Sequence, residues 1–477
     1  MEPISKLTQL IVQVRENLKR DLSHVFEELL PVELIEAKAR SVMKNSRERI
    51  FTPVNTVYTM LLSAIQEDKS LQRAVNLFKD AFDRRCAEAR KTEAEQLQAE
   101  KQNANRGKKK RGRPKKFLSC LLKSFLQPIS SNTAAFATAR KNLDKSVIEA
   151  VYEHSTDFGG LGRKTWHGME TFIIDGTYCQ LQDTEDIKSE YAVEGQEASY
   201  PQALLLGMIK QGTGQISQYV LGNRQQSELE LVIPMINKME KNKLLLVDDL
   251  YNTYFHFCLV LSRKCHIIVP GKRKRNYKVL YDIGPDDQVV RVFKTTRPKY
   301  VSKEEWEKLP ESILLRRITY TYPTKNGLEK AVLYTTILTE TITAAEIIAK
   351  YTTRWDIEIT IREIKTLMDI NVLRSKTKDM LIKELLIALT AYNFIRKIIV
   401  QSADKVSLPP KSVSFKNTLR LVEQFFWTRR IGYSLNDIKE DMNILLIEIS
   451  KHLVPHRNGK RRHYSRKTKQ GKYQKYQ

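Results

Sequence analysis

Cysteine is scarce in this sequence and poorly spaced for chemistry. Five occur in 477 residues, Cys86, Cys120, Cys179, Cys258 and Cys265, with no CxxC pair and no His–Cys zinc spacing. That argues against a disulfide framework or a zinc ribbon and fits buried free thiols in a reducing cytosol. Long apolar runs are also missing, since none reaches the length of a membrane span. The opening MEPISKLTQLIVQVRENLKRDL reads as an amphipathic helix containing acids, not as a signal peptide. Acids themselves are short: 55 Asp and Glu face 81 Lys and Arg, a formal charge of +26 with a pI near 9.6. An excess of that size implies a polyanionic partner, nucleic acid ahead of a membrane surface.

What is present supports a folded chain. Hydrophobic residues make up 41% of it, and 477 residues exceed one compact core, so two or three domains are expected. Residues 1–100 are helical by pattern. Within them, 54–78 has helical apolar spacing broken near Asp68, which predicts two short packed helices. These fit a helix-turn-helix or, lacking a glycine turn, a plain bundle. The tract 101–116, KQNANRGKKKRGRPKK, holds nine basic residues and no acid and is expected to be a disordered linker. Helix returns over 117–165 behind the capping cluster Ser130, Ser131 and Asn132.

Strand patterns follow. A run at 171–174 ends in Asp175-Gly176-Thr177, and 203–209 and 216–221 read as strands joined by the loop QGTG. A helix over 227–241 begins with a Ser227/Glu230 capping box, and 244–247 is a buried strand running into Asp248-Asp249. A helix (254–263) and a strand (266–269) come next. The basic loop GKRKRNYK then introduces VVRVF, LLRRITYTY and KAVLYTTIL, which predict antiparallel strands. A helix begins near Thr343, a long amphipathic one covers 378–400, further helices lie in 415–450, and a basic tail starts at Arg457.

The stretch YTTRWDIEITIREIK, residues 351–365, organises the rest. As one helix advancing about 100° per residue, it sets Tyr351, Arg354, Glu358 and Lys365 within an arc of roughly 60°. Ile357, Ile361, Ile364 and Met368 form an apolar stripe beside them. A carboxylate suits Mg²⁺, and arginine and lysine suit phosphate oxygens, although a solvated face with an Arg–Glu pair has the same spacing. Asp175 and Asp248 each close a buried strand. If those strands are parallel neighbours, the two acids meet at one sheet edge with Glu358 nearby. Three such carboxylates can hold two divalent ions about 4 Å apart, the arrangement that activates water or a 3′-hydroxyl for attack on phosphate.

These residues carry a resemblance. IIDGT around Asp175, LLLVDDLYNTYF around Asp248 and Tyr-x2-Arg-x3-Glu-x6-Lys at Tyr351, Arg354, Glu358 and Lys365 resemble the DDE transposases of the insertion-sequence-four family. RERIFTPVNTVYTMLLSAIQEDKSLQRAV, NTAAFATAR and LRSKTKDMLIKELLIALTAYNFIR extend the likeness over about residues 30–465. Arg111-Gly112-Arg113-Pro114 resembles an AT-hook, whose arginines enter the narrow, strongly negative minor groove of A·T-rich DNA; a basic tether has the same composition. Two features depart from the family: Asp249 stands where an arginine usually follows the second aspartate, and the basic linker looks like an insertion.

The resemblance implies an α/β fold, an RNase H-like catalytic core with an antiparallel β-rich insertion between helical N- and C-terminal regions. The expected division is 1–165 (DNA-binding, with the linker 101–116), 166–400 (core, insertion about 271–342) and 401–477 (helical, dimerising, with a basic tail). The implied function is cut-and-paste transposition of an insertion sequence in a bacterial cytoplasm, by a homodimer acting on double-stranded DNA away from any membrane. Asp175, Asp248 and Glu358 would bind two Mg²⁺ or Mn²⁺, while Tyr351, Arg354 and Lys365 hold the element-end phosphates. A catalytically silent DNA-binding descendant and a metal-dependent nuclease without strand transfer are the alternatives.

Overall fold

A computed structural model of the chain describes residues 29–43, 50–80, 131–162, 165–192, 200–272, 275–324, 327–428 and 435–454, with positions 83, 87 and 91 besides. The opening helix, the linker 101–116 with its Arg-Gly-Arg-Pro core, and the tail from Arg457 lie outside the described residues.

Helices precede the sheet, among them α1 (Val32–Val42), α2 (Pro53–Ile65), α3 (Ala134–Asn142) and α4 (Lys145–Ser155). Thr52 caps α2 by accepting from the Asn55 amide, and Pro53 fits the first turn because no partner exists there for its missing N–H. The helix pattern breaks at 66–70 and resumes at residue 71, as the spacing predicts. Eleven of the 13 residues of α2 are buried, so this first helix is a core element of the helical region.

Ten strands then form one sheet among the described residues: β1 (Thr165–Trp166), β2 (Met169–Gln180), β3 (Gln202–Lys210), β4 (Ile216–Asn223), β5 (Lys243–Leu246), β6 (His266–Pro270), β7 (Tyr277–Gly284), β8 (Asp287–Phe293), β9 (Ser312–Thr324) and β10 (Gly327–Thr335). Their order is β4-β3-β2-β5-β6-β10-β9-β8-β7, with β1 hairpinned onto β2. Only β2–β5 and β5–β6 are parallel. An antiparallel meander whose first strand is followed laterally by two parallel ones is the RNase H-like arrangement. The interruption after β6 adds β7 to β10 to the same sheet, β10 pairing with β6. Strand β7 was not expected; it is the exposed edge, and its YKVLYDIG has no alternation that a buried face would impose.

Between and after the strands lie α5 (Glu185–Tyr191), α6 (Glu228–Leu231), α7 (Ile233–Asn237), α8 (Tyr254–Ser262), α9 (Lys303–Glu307), α10 (Ala344–Thr352), α11 (Asp356–Thr366), α12 (Lys378–Lys405), α13 (Phe415–Thr428) and α14 (Leu435–Lys451). The expected single helix over 227–241 is two short ones, because Pro234 has no amide to continue the ladder. Ser227 caps the first by accepting from Leu229, and the Glu230 half of the expected capping box is not formed. One sheet face, with Ile173, Leu244 and Leu246, packs on α11, α12 and the N- and C-terminal helices. The other, with Ile174, Leu245 and Val247, packs on α6 to α8. Helix α12 is not amphipathic as expected but central. Nineteen of its 28 residues are buried, against α2, α4, α13 and α14 among others. It is the one described helix long and apolar enough to cross a membrane, yet 89% of its apolar stretch lies inside the protein.

Candidate active site

The register of β2 and β5 decides where the first two acids stand. Ile173 pairs with Leu246 in parallel, and Asp175 and Asp248 each lie two residues further on. Side chains alternate with period two and neighbouring strands lie about 4.8 Å apart, so both aspartates emerge beside each other on the α11 face. Asp175 does not end its strand, as expected, since β2 runs on to Gln180; what ends is its partner β5, which leaves this side of β2 open. Asp248 keeps an extended backbone (φ −84°, ψ −178°), and its Oδ1 accepts from the Leu250 amide at 2.9 Å, capping the 3₁₀ turn Asp249–Tyr251. Asp249 turns elsewhere, accepting from the Lys272 amide at 3.0 Å.

The third acid arrives on a helix that is not continuous. Residues 351–365 divide into the end of α10, a 3₁₀ turn at Thr353–Trp355, and α11. Thr352 and Thr353 return their hydroxyls to the carbonyls of Ala349 and Lys350, the kind of local bond that competes with regular helix. The single arc of four side chains is therefore not kept. Tyr351 donates its hydroxyl to the carbonyl of Val247 at 3.2 Å, tying α10 to the residue before Asp248. Arg354 lies 4.8 Å from the ring centre of the exposed Trp355, with a buried Nε that has no hydrogen-bond partner. Glu358 is exposed in the first turn of α11; of the expected stripe, Ile357, Ile364 and, just beyond the helix, Met368 are buried, and Ile361 is half-buried. Lys365 stands two turns, about 10 Å, further along the axis, close enough to Cys179 of β2 to oppose the rise in its thiol pKa to about 12 that burial causes.

Electrostatics joins these groups. Burial raises the Asp175 carboxyl above its usual range, Asp248 and Glu358 push the same way, and the Gly176 amide and Arg354 oppose them. Thr177, Ile361, Ile364 and Leu389 line a largely apolar cavity together with Asp175. A fourth carboxylate belongs to the group. Glu228, first residue of α6, has its pKa raised chiefly by burial, with Asp175 and Asp248 adding to it against a hydrogen bond from Tyr251.

The transposase DDE domain matches residues 166–394 of this chain. These residues are a transposase DDE domain. The chain is 24% identical over 324 residues to the transposase InsG for insertion sequence element IS4 of Escherichia coli (strain K12), covering 65% of this chain and 71% of that one. A cryo-EM structure of a piggyBac transposase synaptic complex with hairpin DNA covers 89% of this chain and 84% of its own, at 10% identity and a TM-score of 0.39, too distant to carry residue correspondences.

Within the transposase domain, Asp175, Asp248, Glu358, Tyr351 and Arg354 thus share one sheet edge, and Lys365 lies along the same helix away from it. Glu228 escaped the sequence reading, since an acid in a first helical turn looks like an ordinary complement to the helix dipole. Its link to the site is Tyr251, 23 residues away. The family's mechanism is metal-dependent, and hard carboxylate oxygens are the donors that Mg²⁺ or Mn²⁺ takes. Among the described residues, however, no three His, Cys, Asp or Glu side chains converge closely enough to hold an ion. Asp175 and Asp248 each have one oxygen engaged by a local backbone amide instead.

Proposed function

We propose that this chain is a DNA transposase that excises and inserts an insertion sequence by metal-dependent phosphoryl transfer. The observation that carries this is the parallel register of β2 and β5, which sets Asp175 beside Asp248 on the face where the Glu358 charge also acts on Asp175. Asp175, Asp248 and Glu358 would hold two Mg²⁺ or Mn²⁺ ions, which supply an activated water or 3′-hydroxyl and neutralise charge developing on phosphate. Arg354 presents a planar fork to a backbone phosphate, Lys365 a further cation along the strand path, and Tyr351 fixes the end of β5. In this reading, residues 1–165 and the linker's Arg111, Gly112, Arg113 and Pro114 engage double-stranded DNA. Residues 166–400 cut and join it, and 401–477 support a homodimer in the cytoplasm.

The test is end cleavage and joining on a supercoiled plasmid that carries the gene with its flanking DNA. Asp175→Asn, Asp248→Asn and Glu358→Gln should each lower Mg²⁺-dependent cleavage at least about 100-fold while DNA binding persists. Normal cutting by all three would reject the assignment. Cleavage without joined products from the wild type would leave a nuclease, and no cleavage at all a silent DNA-binding descendant.

A further inference from the structure

Glu228 stands behind the sheet relative to Asp175 and Asp248, and its surroundings connect the two. Tyr251, 1% exposed, donates its hydroxyl to Glu228 Oε1 at 2.7 Å. Tyr251 closes the 3₁₀ turn that Asp248 caps, its own amide donating to the Asp248 carbonyl at 3.3 Å. On the other side, a side chain at Gly176 would have its Cβ 3.3 Å from Glu228 Oε2 and 3.0 Å from Leu206 Cδ1, so Glu228 lies directly against the residue after Asp175. The start of α6 is held in turn by the segment that follows Asp248. His256 bonds the Leu229 carbonyl at 2.9 Å through Nε2 and Thr253 Oγ1 at 2.7 Å through Nδ1. Asn252 donates to the Pro270 carbonyl, and Arg275 donates to both oxygens of Asn252. The turn carrying Asp248 is thereby braced from two directions.

We propose that Glu228 is a positioning residue: through its bond with Tyr251 and its contact with Gly176, it fixes the spacing between the Asp175 and Asp248 carboxylates. This rests on the metal-dependent reading above. Such a role needs an acceptor at position 228 and a hydroxyl at 251, not a negative charge in contact with an ion.

Mn²⁺ binding to the full chain without DNA, read from the free-ion electron paramagnetic resonance signal, tests it directly. Tyr251→Phe removes one oxygen from a filled site and should weaken Mn²⁺ binding on the order of 10-fold, with Glu228→Ala doing the same. Glu228→Gln, whose amide oxygen still accepts, should stay near wild type. The double variant Tyr251→Phe/Glu228→Ala should be no worse than Glu228→Ala alone, because that change already removes both the bond with Tyr251 and the contact with Gly176. Raised Mn²⁺ should also restore cleavage by Tyr251→Phe, which a loss of folding would not allow. Wild-type Mn²⁺ affinity in Tyr251→Phe, alongside lost binding in Asp175→Asn, would overturn the positioning role and leave the metal site standing. Loss in Glu228→Gln as deep as in Asp175→Asn would make Glu228 a ligand and overturn it too. Unchanged binding in Asp175→Asn would sink the metal site, and the positioning role with it.

Discussion

Asp248 and Asp249 are chemically the same and adjacent in sequence, yet the fold treats them differently. Period-two alternation sends neighbouring side chains to opposite sides, and here one caps its own turn beside Asp175 while the other accepts from the Lys272 amide. Asp249→Asn retains an oxygen for that amide and should cut within a few-fold of wild type in both Mg²⁺ and Mn²⁺. Asp248→Asn should be inactive in the same end-cleavage assay, and a reversed pair would shift the proposed ligand by one residue. The aspartates could be read from the sequence because each follows an apolar run. Glu228 could not, because its meaning depends on Tyr251 and Gly176, which only the folded chain brings to it. The convergence of three carboxylates on an ion was likewise expected from the motif, whereas side-chain torsions that seat Asp175 and Asp248 on local amides leave no trace in spacing.

At the scale of elements, the parallel strands β5 and β6 were legible to within a residue because buried parallel strands are continuous apolar runs, whereas β2 was read six residues short because its polar second half, Gly176–Gln180, breaks that run. Helix continuity was less so. The 3₁₀ turn at Thr353–Trp355 depends on threonine hydroxyls bonding backward and on Gln211 donating to Thr353 from the loop after β3, a tertiary contact. The β-rich interruption also has a visible mechanical link to the helix carrying Tyr351. Arg316 of β9, 1% exposed, makes a two-pronged pair with Asp287 of β8 at 2.8 and 2.6 Å. Its remaining terminal nitrogen donates to the carbonyls of Thr339 and Ile342, just before the Thr343/Glu346 capping box that opens α10. Asp287→Ala strands a buried guanidinium and should cost about 3–5 kcal/mol in urea unfolding. Replacing both partners with apolar residues, Asp287→Leu with Arg316→Met, should cost less. A larger loss in the double variant would show that the carbonyl bonds to the α10 approach outweigh the ion pair.

The described parts of the molecule are organised on α12, which was read as amphipathic; Lys383, Asn393 and Arg396 interrupt its apolar pattern. Each of these is buried and partnered. Lys383 donates to the Lys141 carbonyl, Asn393 pairs with both backbone groups of Ile216, and Arg396 donates to the Thr213 carbonyl. Polar residues that serve partners across a core look, in a linear pattern, like a solvated face. Charge is the other molecular property, and composition conveys it without a fold. With +26 formal charges, duplex binding should weaken steeply with salt, the log–log slope being about −0.9 per phosphate neutralised. Nine of the basic residues lie in 101–116, outside the described residues, and the composition of that tract predicts a linker whose share can be measured by deletion. Deleting 101–116 should flatten the slope by about 0.9 for each phosphate that this segment neutralises, while leaving thermal unfolding in place. An unchanged slope would assign all phosphate neutralisation to the rest of the chain. Arg111→Ala with Arg113→Ala refines the result. A groove-reading segment loses more affinity for A·T-rich than for G·C-rich duplex, because only the former has the narrow, strongly negative minor groove. A tether loses equally on both, and equal losses measured at one fixed salt concentration would remove the AT-hook reading while keeping the electrostatic one.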